Sequence, residues 1–255
     1  MALSSTTRGS GSHATTTTTW VITPASYPAA GSLLVLVAAY DNSGSGGADP
    51  YSSIADSKGN TWTSRHGTLR DPSTANAGCV LRIFTTRQDV GTLVSADTVT
   101  ITLGTTTVAK AWALWEITAA GGSYADYLAT ETGAGGASTT PSVTTSSITS
   151  GDLVVGAVAF EYGAGATLTY DGDTSSGTWV NGQTAGTSGT TNGMSVIGET
   201  KVTTGTATQT YDPTSDTSSD WAAGWISVHE NAGAVTGRGI GPRVILQAVN
   251  RASTY

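Results

Sequence analysis

Charged residues are scarce in this chain: Asp, Glu, Lys and Arg make up 11% of its 255 residues, less than half the share usual in a soluble domain. Strong helix formers rarely occur together, and no stretch repeats apolar residues at i, i+3, i+4 and i+7 over several turns, which excludes a helical bundle. Cys79 stands alone, so no intrachain disulfide can form and a small disulfide-stapled scaffold is excluded. The longest apolar run, Leu33 to Tyr40, is far too short to span a bilayer as a helix, so membrane insertion is not expected. Met1 to Arg8 has no apolar core of the kind a signal peptide carries. The expectation is a chain made in a cytoplasm without an export signal.

What remains is a composition dominated by Thr, Ser and Gly, with 33 glycines. It is the composition of extended, hairpin-rich chains. The length suffices for a full hydrophobic core without help from disulfides or metal. Charge is unevenly placed. Residues 1–230 hold 8 basic and 18 acidic groups, a formal −10, whereas residues 231–255 hold Arg238, Arg243 and Arg251 and no acid, a formal +3. An acidic body repels phosphate backbones, so nucleic acid is not an expected partner. The basic tail suits an acidic neighbour, such as the body of another copy.

Period-two patterns bounded by Gly, Asp, Asn, Ser and Pro predict strands at Leu33–Tyr40, Thr61–Arg65, Cys79–Thr86, Thr98–Leu103 and Lys110–Thr118. A second series follows at Leu153–Tyr162, Thr178–Val180, Gly193–Val202, Ala207–Tyr211 and Trp221–Glu230. The series share markers in the same order. Gly31-Ser-Leu-Leu-Val matches Gly151-Asp-Leu-Val-Val at an offset of 120, and Asp56-x5-Trp62 matches Asp173-x5-Trp179 at an offset of 117. Trp112-Ala-Leu-Trp-Glu116 is set against Ile226-Ser-Val-His-Glu230 at an offset of 114. These spacings predict an internal duplication, with half-repeats at about 20–130 and 140–230, inside one antiparallel two-sheet β-sandwich. The Ser/Thr/Gly-rich stretch 133–150 could link two tandem domains, but Val143 and Ile148 inside it look like strand positions, which favours one sandwich. Leu33–Tyr40 and Leu153–Tyr162 carry apolar residues on both faces, so each should be a central strand covered by loops, arms or a neighbouring subunit.

This order of markers, with Arg82-Ile-Phe84 and a Thr-alternating strand between them, resembles the jelly-roll-like β-sandwich units of bacteriophage virion structural proteins of the minor tail or head-decoration type. The resemblance covers roughly residues 15–230. It implies an all-β fold and a virion setting, with copies of the chain and other virion proteins as partners, and it carries over no binding or catalytic residue. The ends fit that setting. Residues 1–19 read as an extended N-terminal arm. Residues 231–255 read as an extended basic C-terminal arm, with Arg238, Arg243 and Arg251 for charge and Val244, Ile245 and Leu246 as an apolar anchor for assembly.

Signals for chemistry are sparse, and no enzyme is expected. His13, His66 and His229 have no metal-ligand or triad spacing. Cys79 heads a strand and reads as core. Glu116 and Glu230 fall at matching places of the two series and, brought together, would make a carboxylate pair for glycoside hydrolysis, the enzymatic alternative. Asp171 and Asp173 sit in an oxygen-rich loop that could hold Ca²⁺, although turn chemistry explains the same residues and no cofactor is otherwise expected. Trp62 and Trp179 recur at equivalent places and read as core. Trp112, Trp115, Trp221 and Trp225 are the candidates for contact with a host surface glycan or a protein partner, the function of an adhesin module.

Overall fold

The structure, a computed structural model, describes residues 3–42, 47–74, 77–120, 124–128, 132–162, 166–187 and 193–231. Among these residues every regular element is a strand. In chain order they are β1 (Leu3–His13), β2 (Thr17–Ile22), β3 (Leu33–Asp41), β4 (Tyr51–Asp56), β5 (Thr63–Arg70), β6 (Cys79–Arg87), β7 (Val99–Thr107), β8 (Lys110–Ala119) and β9 (Tyr124–Leu128). There follow β10 (Gly133–Ser138), β11 (Val143–Thr144), β12 (Leu153–Phe160), β13 (Leu168–Thr169), β14 (Val180–Gly186), β15 (Ser195–Val202), β16 (Thr210–Tyr211), β17 (Thr214–Ser215) and β18 (Ser219–Asn231).

Two large antiparallel sheets form the centre. One has the order β1-β8-β3-β6-β5, the other β10-β18-β12-β15-β14, with β9 also paired to β18. They pack face to face over a shared core to which β3 gives Leu33, Val35, Val37 and Ala39 and β12 gives Leu153, Val155, Ala157 and Ala159. The alternate residues of the same strands point the other way. Leu34, Leu36, Ala38 and Tyr40 meet a three-stranded sheet, β2-β7-β4, in a second core that also contains Trp20, Phe84 and Ile101. Val154, Val158 and Phe160 meet Tyr211, Trp179 and Trp225 in a third, covered by the short ribbons β11-β16 and β13-β17. The covers on the doubly apolar strands are therefore small sheets of the same chain. Each fully buried Val, Leu or Phe contributes about 1.5–3 kcal/mol, so both faces of β3 and β12 hold the layers together.

Residues 3–13, expected within an arm, form the edge strand β1, paired along its length with β8 from Leu3↔Ala119 to His13↔Lys110. Its polar sequence hid it because neither flank requires apolar alternation. Its free edge is met by the second sheet, with Ser10 Oγ donating to the Thr184 carbonyl at 3.0 Å, Ser12 Oγ to the Gly186 carbonyl at 2.8 Å and Asn181 Nδ2 to the Ser5 carbonyl at 2.8 Å. Gly11 lies opposite Trp112, where a Cβ would stand 2.8 Å from the indole Nε1, and Gly136 lies opposite Trp221, where a Cβ would stand 2.8 Å from Cζ2. In both sheets a glycine of the edge strand makes room for a tryptophan of its neighbour.

The stretch 133–150 supplies β10 and β11, and Ile148, 1% exposed, bridges to Ala207. The C-terminal arm, with Arg238, Arg243, Val244, Ile245, Leu246 and Arg251, lies outside the described residues. No helix of the described residues is long and apolar enough to cross a membrane.

Candidate functional site

The structure distributes the chemically capable side chains over several places and uses most of them for packing. Glu116 and Glu230 do not form a pair. Glu116 faces Leu34 across β3, and the register that pairs Leu34 with Glu116 in the first sheet pairs Val154 with Ser227 in the second. Glu230 lies three residues further on, opposite Ala125. The sequence match failed because it aligned two strand ends by their final Glu, while the backbone register counts from Leu33 and Leu153. Glu116 is 2% exposed and serves the fold. Its Oε2 takes Arg8 Nε at 2.9 Å and is ion-paired to Arg8 Nη2, and its Oε1 takes the Ala29 amide at 2.6 Å. That cluster ties β1 to the connection between β2 and β3.

All four tryptophans proposed as contact residues are inside. Trp112 and Trp221 are 6% and 9% exposed, lying over Gly11 and Gly136; Trp115 and Trp225 are fully buried. Trp115 Nε1 donates to the Asn181 carbonyl, Trp221 Nε1 to Ser138 Oγ and Trp225 Nε1 to Thr132 Oγ1, at 2.8 to 2.9 Å. An indole that spends its N–H and both faces internally has no plate to offer a sugar. Their strands belong to sheets covered on both sides, so neither strand face reaches solvent. Trp62 and Trp179 are core residues too.

Asp171 is buried. Its Oδ1 accepts the Asp173 amide at 2.7 Å and its Oδ2 the Asp212 amide at 3.0 Å, which is turn chemistry. Its own amide donates to Glu199 at 2.8 Å. Among the described residues no group of three or more His, Cys, Asp or Glu side chains is arranged to hold a metal ion. Burial pushes the Glu199 carboxyl up to about 7, and the nearby Asp171 carboxylate acts in the same direction. Glu161, at the end of β12, is likewise pushed up to about 7, first by burial and then by Asp220 and Asp41, while the Gly78 amide bonded to it opposes the shift. Cys79 is fully buried against the Ala159 carbonyl, and burial raises its thiol well above the usual range, so it is no nucleophile. His66 is buried with Nε2 2.6 Å from Thr68 Oγ1, and His229 Nε2 lies 3.0 Å from Asn231 Oδ1.

A further cavity, which sequence reasoning did not single out, lies beside the end of β3. Where β3 ends and the chain returns into β4, a cavity of about 520 Å³ is lined by Asn42, Asp49, Tyr51, Ser52 and Thr105, with Ala48 and Pro50 in the same wall. The wall is held in place from beneath. Asp49 Oδ1 accepts Tyr40 Oη at 2.8 Å and the Tyr51 amide at 2.9 Å, and its Oδ2 accepts Arg82 Nε at 2.6 Å. The Arg82 guanidinium lies 4.2 Å from the centre of the Tyr51 ring, and Phe84 packs 5.2 Å from it, so Tyr51 is fixed. Asn42 is 1% exposed, yet neither Nδ2 nor Oδ1 has a hydrogen-bond partner. In the sequence, Asp41-Asn42 reads as an oxygen-rich pair that could hold Ca²⁺ or simply make a turn.

No protein-family model matches this chain, and neither the curated proteins nor the solved structures give a match to it.

Proposed function

We propose that the chain is a non-enzymatic structural component of a bacteriophage particle, of the capsid-decoration or minor-tail kind. In this reading it joins other copies and other virion proteins through the segment that follows β18. The observation that carries the reading is the division of charge: a body at −10 continues into a 25-residue segment, 231–255, at +3 with an apolar triplet at Val244, Ile245 and Leu246. A short basic, apolar-anchored segment next to an acidic body favours contact between copies, strengthened at low ionic strength. The internal duties of Glu116, Cys79, His66 and Asp171 support a chain whose polar groups serve architecture. Light scattering on the full chain and on a chain ending at Asn231 tests this. A defined oligomer, or assembly onto bare particles, that disappears on truncation and weakens with salt is the expected result; equal masses for both chains would overturn it.

A further inference from the structure

We propose that the cavity at the end of the first large sheet, where β5 begins and β6 ends, binds a small carboxylic acid in its ionised form, with the Arg65 guanidinium as the principal contact. The inference is independent of how the chain assembles.

The starting point is a guanidinium without a carboxylate. Arg8, Arg70, Arg82 and Arg87 each pair with one, with Glu116, Asp220, Asp49 and Asp89 in turn. Arg65 has none among the described residues. What holds it is different in kind: Nε donates to Thr85 Oγ1 at 2.7 Å, and the guanidinium lies 4.1 Å from the centre of the Tyr127 ring. These contacts use Nε and one face of the plane. They leave the two Nη groups, the edge that takes a carboxylate in two parallel hydrogen bonds. In a body of 18 acidic and 8 basic groups, acids are not in short supply; the arginine without one stands at a cavity.

The fold aims and fixes this side chain. Ser64 pairs with Phe84 and His66 with Ile83, so Arg65 is the extra residue of a β-bulge, a device that re-aims a side chain. Thr85, to which it is tied, is buried and lines the same cavity. Arg65 itself is only half-buried, so a ligand can reach it. A donor already held from two sides costs little to order on binding.

The walls select the ligand class. The cavity measures about 270 Å³, just under the roughly 300 Å³ at which sites for drug-sized molecules begin, and so suits a small ligand. Its charged wall is Arg65, Arg87 and Asp89, two positive charges and one negative, a net +1. One negative charge on the ligand balances it. A second, as on sulfate or phosphate, would go unmatched inside an acidic body. Leu33 and Val90 give the wall an apolar part for a carbon skeleton, and Thr61 and Thr63 bring hydroxyls.

The test is a titration of the full ¹⁵N-labelled chain with propionate, glucuronate, sulfate and phosphate at constant ionic strength. It is read at the backbone amides of residues 85–90 and at the Arg65 Nε–H, assigned by its absence in Arg65→Gln. The expected result is a saturable shift of both with propionate or glucuronate, weakened about tenfold or more in Arg65→Gln. A preference for propionate marks an aliphatic acid as the natural ligand, and a preference for glucuronate a sugar acid. Val90 is 71% exposed and can be changed without touching the core. Val90→Glu should weaken binding and Val90→Lys strengthen it, by about threefold each. No saturable shift with either acid, equal binding in Arg65→Gln, the same affinity in Val90→Glu and Val90→Lys, or tighter binding of sulfate or phosphate than of both acids would each overturn the site.

Discussion

Arg8 illustrates how much a single residue in a polar strand can hold. It is the charged partner of a carboxylate that is almost fully buried, and its loss would strand that charge. Breaking a buried pair from one side costs about 3–5 kcal/mol, whereas replacing both partners with apolar groups is often close to neutral. Arg8→Ala is expected to lose about 3 kcal/mol by urea denaturation, and Arg8→Met combined with Glu116→Leu should recover most of it. The raised carboxyls give a second outcome at this scale. Glu161 and Glu199 have folded pKa values of about 7 against an ordinary 4.5, so the folded chain holds their protons more tightly than the unfolded chain does. Their stabilising contribution is complete below about 4.5 and is lost as pH rises through about 7. Lys110, lowered by burial to about 8, changes stability only above that pH and leaves the window clear. The melting temperature should fall between about pH 5 and pH 8, and the fall should shrink in Glu161→Gln with Glu199→Gln. An equal fall in the double variant would show that other groups govern it.

The pairing of an edge-strand glycine with a neighbour's tryptophan belongs to the elements β1/β8 and β10/β18. Gly11→Val and Gly136→Val each push a side chain into an indole and should cost about 1–3 kcal/mol in thermal or urea unfolding. Gly172→Ala, where a Cβ would meet nothing within 4 Å, should stay within about 0.5 kcal/mol. These elements also show where sequence reading succeeds. β3, β12 and β8 were legible because burial on both faces writes a continuous apolar run, and β7 because one solvated face writes strict alternation. β1 and β10 were not, since Ser, Thr and Gly on a strand with little apolar duty carry no period. The tryptophans were misassigned for a related reason. Alternation tells which residues share a face but not whether that face is covered, and here every face of β8 and β18 is.

Across the whole molecule, the central core draws on both large sheets, and neither sheet can bury its inner face without the other. Unfolding should therefore be a single cooperative event, with calorimetric and van't Hoff enthalpies equal. A chain ending at residue 131 should fail to give a sharp transition and should expose apolar surface to dye; a sharp, independent transition from that half would contradict a shared core. The stack of four layers has one more consequence. With sheets about 10 Å apart, three successive interfaces make a slab about 30 Å thick in whose inner sheets the middle strands β3 and β12 are buried on both faces. Adaptation to a new environment is thereby confined to the rims and the outer skins, where exposed side chains can change without disturbing the slab they border.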